Sequence, residues 1–120
     1  MAFSKTTPIL RMLDEAAARA FYVGYLGFHI DWEHRFEAGF PLYMQVSRAG
    51  LVLHLTEHHG DACPGSTVFV RVSGLREYHA EISAKGYGYL QPGVQATFHG
   101  SIQMEVIDPS GNRIRFDEMT

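Results

Sequence analysis

One order of hydrophobic periodicities, a strand, then a helix, then three strands, occurs twice along these 120 residues and leaves few ways to fold them. In the first half, Thr6 to Leu13 reads as a strand, and Asp14 is placed to cap a helix with Ala17, Phe21, Tyr25 and Leu26 on its apolar side. Gly27 stops that helix. Strand-like runs follow at Phe28 to Glu33, Leu42 to Ser47 and Leu51 to Thr56, the last two joined by the turn-prone Arg48, Ala49 and Gly50. After the polar loop HHGDACPGS the order restarts. Thr67 to Val72 reads as a strand, and SGL opens a helix with Leu75, Tyr78, His79 and Ile82 at helical spacing and Gly86 past its end. The closing strands are Tyr87 to Gln91, Ile102 to Ile107 and Arg113 to Asp117, with Pro109 and Gly111 suited to a tight turn between the last two. The helix exits LGFHI and KGYGY fall at equivalent points of two modules of about 60 residues, 1–60 and 61–120. The expected class is α+β, one domain over 1–120, and a 46% apolar content supplies its core.

Charge and composition remove several functions. A formal charge of −3 with only ten Lys and Arg argues against a nucleic-acid surface, which needs a concentrated basic patch. No run approaches the roughly 18 apolar residues of a membrane span. The N-terminal MAFSKTTP lacks the apolar core of a secretory signal, so the expected location is cytoplasmic. Cys63 stands alone, outside any CxxC pair, and reads as a loop thiol.

The stretch LVLHLTEHHGD, Leu51 to Asp61, raises the question of a metal. On a strand His54 and His58 share a face but stand about 13 Å apart, too far to bind one ion. His58 and His59 point to opposite sides, and Gly60 and Asp61 mark a solvated loop. A helix would bring His54 and His58 together at i and i+4, but the apolar run after Gly50 favours a strand.

Three segments carry a resemblance: LDEAAARAFYVGYLGF at Leu13 to Phe28, VFVRVSGLREYHAEISAKGY at Val68 to Tyr87, and MEVIDPSGNRIRF at Met104 to Phe116. In this order they resemble the vicinal oxygen chelate superfamily, which holds glyoxalase I, extradiol dioxygenases, fosfomycin-resistance enzymes and bleomycin-resistance proteins. LVLHLTEHHGD followed by PGS is most similar to the bleomycin-resistance and glyoxalase-like branch. The resemblance implies two βαβββ modules forming a curved mixed sheet around a hollow.

In the metal enzymes of that superfamily, ligands come from the first and last strands of the modules. The positions that match here are Thr7, Thr67 and Arg115, and none is a plausible ligand. A guanidinium at 115 repels a divalent ion where the enzymes place a carboxylate. The resemblance then implies no metal and no cofactor. It points instead to a homodimer that gives resistance by holding a flat, cationic, drug-like antibiotic of the bleomycin type against aromatic rings.

Trp32, Phe36, Phe40 and Tyr43 around the second and third strands, with Phe98 and His99 before the seventh, supply those rings. His54 and Arg115 complete the candidate ligand-binding set. Phe40 and Tyr43 suit core or edge packing equally well. Glu33, Glu37 and Glu105 are candidates to meet a cationic tail. His99 stands where the bleomycin-binding branch commonly has Trp before Gly, a smaller and more polar ring, which leaves the ligand's identity open. The alternative is a metal-dependent glyoxalase-like lyase, isomerase or transferase, with His54, His99 and Glu105 as its suspect residues.

Overall fold

Asp14 accepts a hydrogen bond at Oδ1 from the Ala17 amide at 2.9 Å, and helix α1 (Glu15–Arg19) starts there as its position predicts. The computed structural model describes residues 1–89 and 91–120. From Ala20 to Tyr25 the helix widens into a π-helix. The wider turn shifts the buried stripe, so that Ala18, Phe21, Tyr22 and Tyr25 enter the core and Ala17 is only half-buried.

The element order is twice β, α, β, β, β. The first module has β1 (Ile9–Arg11), α1, β2 (His29–His34), β3 (Tyr43–Arg48) and β4 (Leu51–Thr56). The second has β5 (Thr67–Arg71), α2 (Leu75–Ser83), β6 (Gln95–Ala96), β7 (Ser101–Ile107) and β8 (Arg113–Met119). Each module builds its own four-stranded mixed sheet, in the orders β1-β4-β3-β2 and β5-β8-β7-β6, with the parallel pairs β1/β4 and β5/β8. The α+β class and the repeated βαβββ order are borne out.

One expected strand differs. Tyr87 to Tyr89 form no strand, Leu90 lies outside the described residues, and Gln95–Ala96 takes the sheet edge instead. Tyr87 and Tyr89 pack onto the first helix, with Tyr25–Tyr87 ring centroids at 5.7 Å and Phe21–Tyr89 at 5.2 Å. That aromatic packing holds the segment in place of a ladder.

The helix-covered sheet faces share one core, in which Leu10, Met44, Val46, Leu53 and Leu55 of the first module join Leu75, Ile82, Met104, Ile114 and Phe116 of the second. A buried polar knot stitches the modules. Tyr22 Oη donates to Asp108 Oδ2 at 2.6 Å, Asn112 Nδ2 donates to Asp108 Oδ2 at 3.0 Å and to the Arg11 carbonyl at 2.8 Å, and Asn112 Oδ1 accepts from Ser66 N at 3.1 Å. Burial, reinforced by the Asp108 charge, pushes the Tyr22 hydroxyl well above its usual pKa and keeps it a donor. Helix α2 has Gly74 at its N-cap with no side chain to offer, and Glu118 of β8 accepts from the Gly74 and Leu75 amides at 3.0 Å each. No helix among the described residues is long and apolar enough to cross a membrane.

Tyr22→Phe removes a buried donor and leaves Asp108 short of a partner, so urea unfolding should show a loss of about 1–2 kcal/mol. An unchanged midpoint would mean the knot contributes nothing net.

Candidate functional site

The period-two alternation that buries one face of each sheet leaves the other open. On the first sheet the register pairs Trp32 with Gln45, His34 with Tyr43, and both Tyr43 with Thr56 and Gln45 with His54 across β3 and β4. A bulge between Ile30 and Trp32 resets the alternation. Ile30 therefore faces the core opposite Val46, while Trp32 comes out beside Gln45.

Three of the residues singled out from sequence meet on this face. Trp32 stacks parallel to Tyr43, with centroids 5.9 Å apart and planes within 6°, and His54 meets Trp32 edge-on at 5.3 Å and Tyr43 at 5.2 Å. Trp32 remains 43% exposed and presents a flat aromatic surface. Phe36, 73% exposed, meets the His34 ring edge-on at 5.0 Å at the rim, and Phe40 lies in the same β2–β3 loop, where its carbonyl accepts from Arg35.

The other three lie on the second module. Phe98 projects into solvent from the turn before β7, edge-on to His99 at 5.0 Å. His99 Nε2 lies 3.0 Å from Ser101 Oγ and 3.4 Å from Asp117 Oδ2. Because one ring nitrogen meets both groups and Ser101 is buried, this is not a nucleophile–base–acid relay. Arg115 Nε donates to Glu105 Oε1 at 2.8 Å, and Arg113 Nη1 donates to Glu105 Oε2 at 2.8 Å. A polar hollow of about 370 Å³ lies beside this pair, lined by Gln95, Thr97, Gln103, Glu105 and Arg115. A larger open groove of about 660 Å³ runs between the modules past Phe28, Arg48, Leu51, Val70 and Tyr78, and contains none of the residues singled out from sequence.

Two acids expected to be free for a cationic tail are already engaged. Glu33 is held by Arg19, and Glu105 by Arg115 and Arg113. A carboxylate bonded into the aromatic face is Asp31, which the sequence does not single out. Its oxygens accept from Gln45 Nε2 at 3.0 Å and Ser47 Oγ at 2.9 Å, and these bonds hold it below the usual carboxylate range. Gln45 also bonds His54, its Oε1 lying 2.9 Å from Nε2, and Tyr43 Oη lies 2.7 Å from His54 Nδ1. The signal that identifies these residues is the alternation YMQVSR itself, which puts Tyr43, Gln45 and Ser47 on one face. Asp117 on the second sheet was likewise missed. Burial drives its carboxyl up, but hydrogen bonds from Ser101, Gln103 and His99 and the charge of Arg71 bring it below its ordinary value.

The residues do not fit a metal of the superfamily's kind. Thr67 opens β5, Thr7 precedes β1, and the Arg115 guanidinium is ion-paired on β8. His54 lies on the first sheet, His99 and Glu105 on the second module, and among the described residues no three His, Cys, Asp or Glu side chains converge. Cys63 is exposed and unpaired.

Paired βαβββ modules, each closing a four-stranded mixed sheet in the same strand order, define a glyoxalase-type fold. The chain belongs to the glyoxalase superfamily, whose description as "Glyoxalase superfamily protein" it matches over residues 1–120. A bleomycin-binding protein from Streptomyces verticillus, solved with copper(II)-bleomycin, is 26% identical over 97% of this chain and 96% of that one, with a TM-score of 0.71. A bleomycin resistance determinant encoded on transposon Tn5 is 25% identical over 98% of each chain, with a TM-score of 0.76. A glyoxalase-related enzyme from Clostridium phytofermentans, 16% identical over 100% of this chain and 98% of that one, has a TM-score of 0.77, a likeness of fold alone. Comparison with curated protein sequences gives no match.

The hydrogen bond from Arg115, followed by that from Arg113, holds Glu105 below its usual range despite partial burial. A carboxylate whose folded pKa lies below its unfolded value of about 4.3 stabilises the fold above that pH and loses the contribution as pH falls through the folded value. Carbon-detected NMR should therefore place the Glu105 midpoint below about 4.3. Arg115→Ala should raise it; a midpoint indifferent to that substitution would rule the pairing out as its cause.

Proposed function

We propose that this protein sequesters a flat, cationic, drug-like molecule of the bleomycin type and gives resistance by holding it chemically unchanged. The observation that carries this reading is the Trp32, Tyr43 and His54 cluster on an open sheet face, with the Asp31 carboxylate beside it. Aromatic faces attract planar rings by stacking and cations through the ring quadrupole, and a nearby anion adds to both. Two structural relatives are by name a bleomycin-binding protein and a bleomycin resistance determinant, which supports the same ligand class. The absence of metal-ligand chemistry at Thr7, Thr67 and Arg115 favours binding over turnover.

The working unit is a homodimer in the cytoplasm, with Phe98, His99 and Arg115 of one copy meeting the aromatic face of the other. A sheet with one solvated face and exposed Trp32, Phe36 and Phe69 presents apolar area that a second copy covers.

Titrating bleomycin into the protein should quench the fluorescence of Trp32, the chain's one tryptophan, and the drug should be recovered intact. Trp32→Ala, followed by calorimetry, and Phe36→Ala should each weaken binding by roughly 1 kcal/mol, or severalfold, while His59→Ala matches the parent. A modified drug, or a stoichiometric metal lost on His54→Ala, would turn the reading toward the enzyme. Sedimentation at micromolar concentration should give twice the chain mass, and a monomer would remove the shared crevice.

A further inference from the structure

Four polar side chains on the open face of the first sheet are linked by hydrogen bonds that run in one direction only. Asp31, held as a carboxylate, has no proton to give and accepts at both oxygens. Gln45 Nε2 donates to it, which turns the amide oxygen of Gln45 toward His54 Nε2, 2.9 Å away. An amide oxygen only accepts, so Nε2 carries a proton, and in the neutral imidazole that leaves Nδ1 with its lone pair. Tyr43 Oη, 2.7 Å from Nδ1, must then direct its proton inward to that lone pair. Desolvation, with the Asp61 charge adding to it, raises the Tyr43 pKa, which keeps the hydroxyl protonated and able to do so. The opposite polarity requires Gln45 to turn over and set its oxygen against the Asp31 carboxylate, two acceptors in contact. Ser47 Oγ on the second carboxylate oxygen blocks relief by rotation of Asp31.

The outward side of Tyr43 Oη therefore offers lone pairs and no hydrogen, next to the parallel Trp32 ring. We infer that Asp31, Gln45 and His54 are positioning residues that fix Tyr43 as a hydrogen-bond acceptor, and that the site selects flat cations with an N–H donor at the ring edge. The ligand half of this inference rests on the sequestration reading; the polarity half rests on the side chains alone. Aminoheteroaromatic and amidinium edges satisfy the acceptor. A quaternary cation of the same area stacks equally well but leaves the acceptor desolvated and unpaired, which costs affinity.

Two measurements separate the halves. Long-range nitrogen–proton NMR on the free protein should show His54 in the Nε2–H form, with Asp31→Ala mixing the two tautomers; an Nδ1–H form in the parent, or a tautomer indifferent to Asp31→Ala, overturns the polarity. In fluorescence titrations of Trp32, proflavine, a flat cation with exocyclic amino groups, should bind severalfold tighter than N-methylacridinium, the same three-ring cation without N–H. That ratio should collapse in Tyr43→Phe whatever loss both dyes share. Equal affinities in the parent overturn the selection. If neither dye binds, the selection falls, while the bleomycin titration still decides the sequestration reading and the tautomer result the polarity.

Discussion

The first helix and the first strand of the first module are tied to a single buried carboxylate in the second. Asp108 accepts from the Tyr22 hydroxyl, the Asn112 side chain and the Ser110 and Asn112 amides, which fills its acceptor sites. Asn112, locked by it, reaches the carbonyl of Arg11 and receives the amide of Ser66. The π-helical turn that follows α1, strand β1, the entry to β5 and the β7–β8 turn thus share one polar hub within an apolar core. In that setting each donor is worth more paired, and more costly unpaired, than at a surface. The hub sets how the helix-covered faces meet, and so leaves both open faces to the outside.

The two open faces are versions of one template. In the first module His54 lies between Ile9 and Gln45, and in the second Arg115 lies between Phe69 and Glu105. One step along, Thr56 lies between Arg11 and Tyr43, and Asp117 between Arg71 and Gln103, with Thr56 and Asp117 both buried. The backbone repeats while the chemistry diverges. The first face is aromatic and hydrogen-bonded, and the second is a lattice of ion pairs. The one face offers a stacking surface and the other fixed charges.

Much of this was legible in the chain. Leu51 to Thr56 follows from strict alternation after Gly50, the first helix from the Asp14 cap, and the module repeat from element order. What was not legible depends on contacts remote in sequence. Tyr87 to Gln91 carries strand-like residues, but its tyrosines find the helix of the other module first. Gln45 and Asp31 belong together only once the register of β2 on β3 is set. Glu33 and Glu105 look free until Arg19, Arg113 and Arg115 are placed. The aromatic candidates were identifiable by type, but their division between two sheets was not, because it depends on which side of each strand faces the helix.

The bulge at Asp31 has a consequence for how such a surface changes over generations. Side chains alternate along β2, so one residue more or less exchanges its two rows. In a ladder of the same length without the bulge, with Asp31 paired in regular register, residues 30 and 32 would share a side, and the Trp32 ring would turn toward the helix instead of the solvent. At the bulge itself, by contrast, loss of the one extra residue leaves Ile30 and Trp32 adjacent and on opposite sides, so Trp32 keeps its place beside Gln45, and Tyr43 and His54 on β3 and β4 keep theirs. A step in length at this point of the edge strand removes the carboxylate of the aromatic face and keeps its rings.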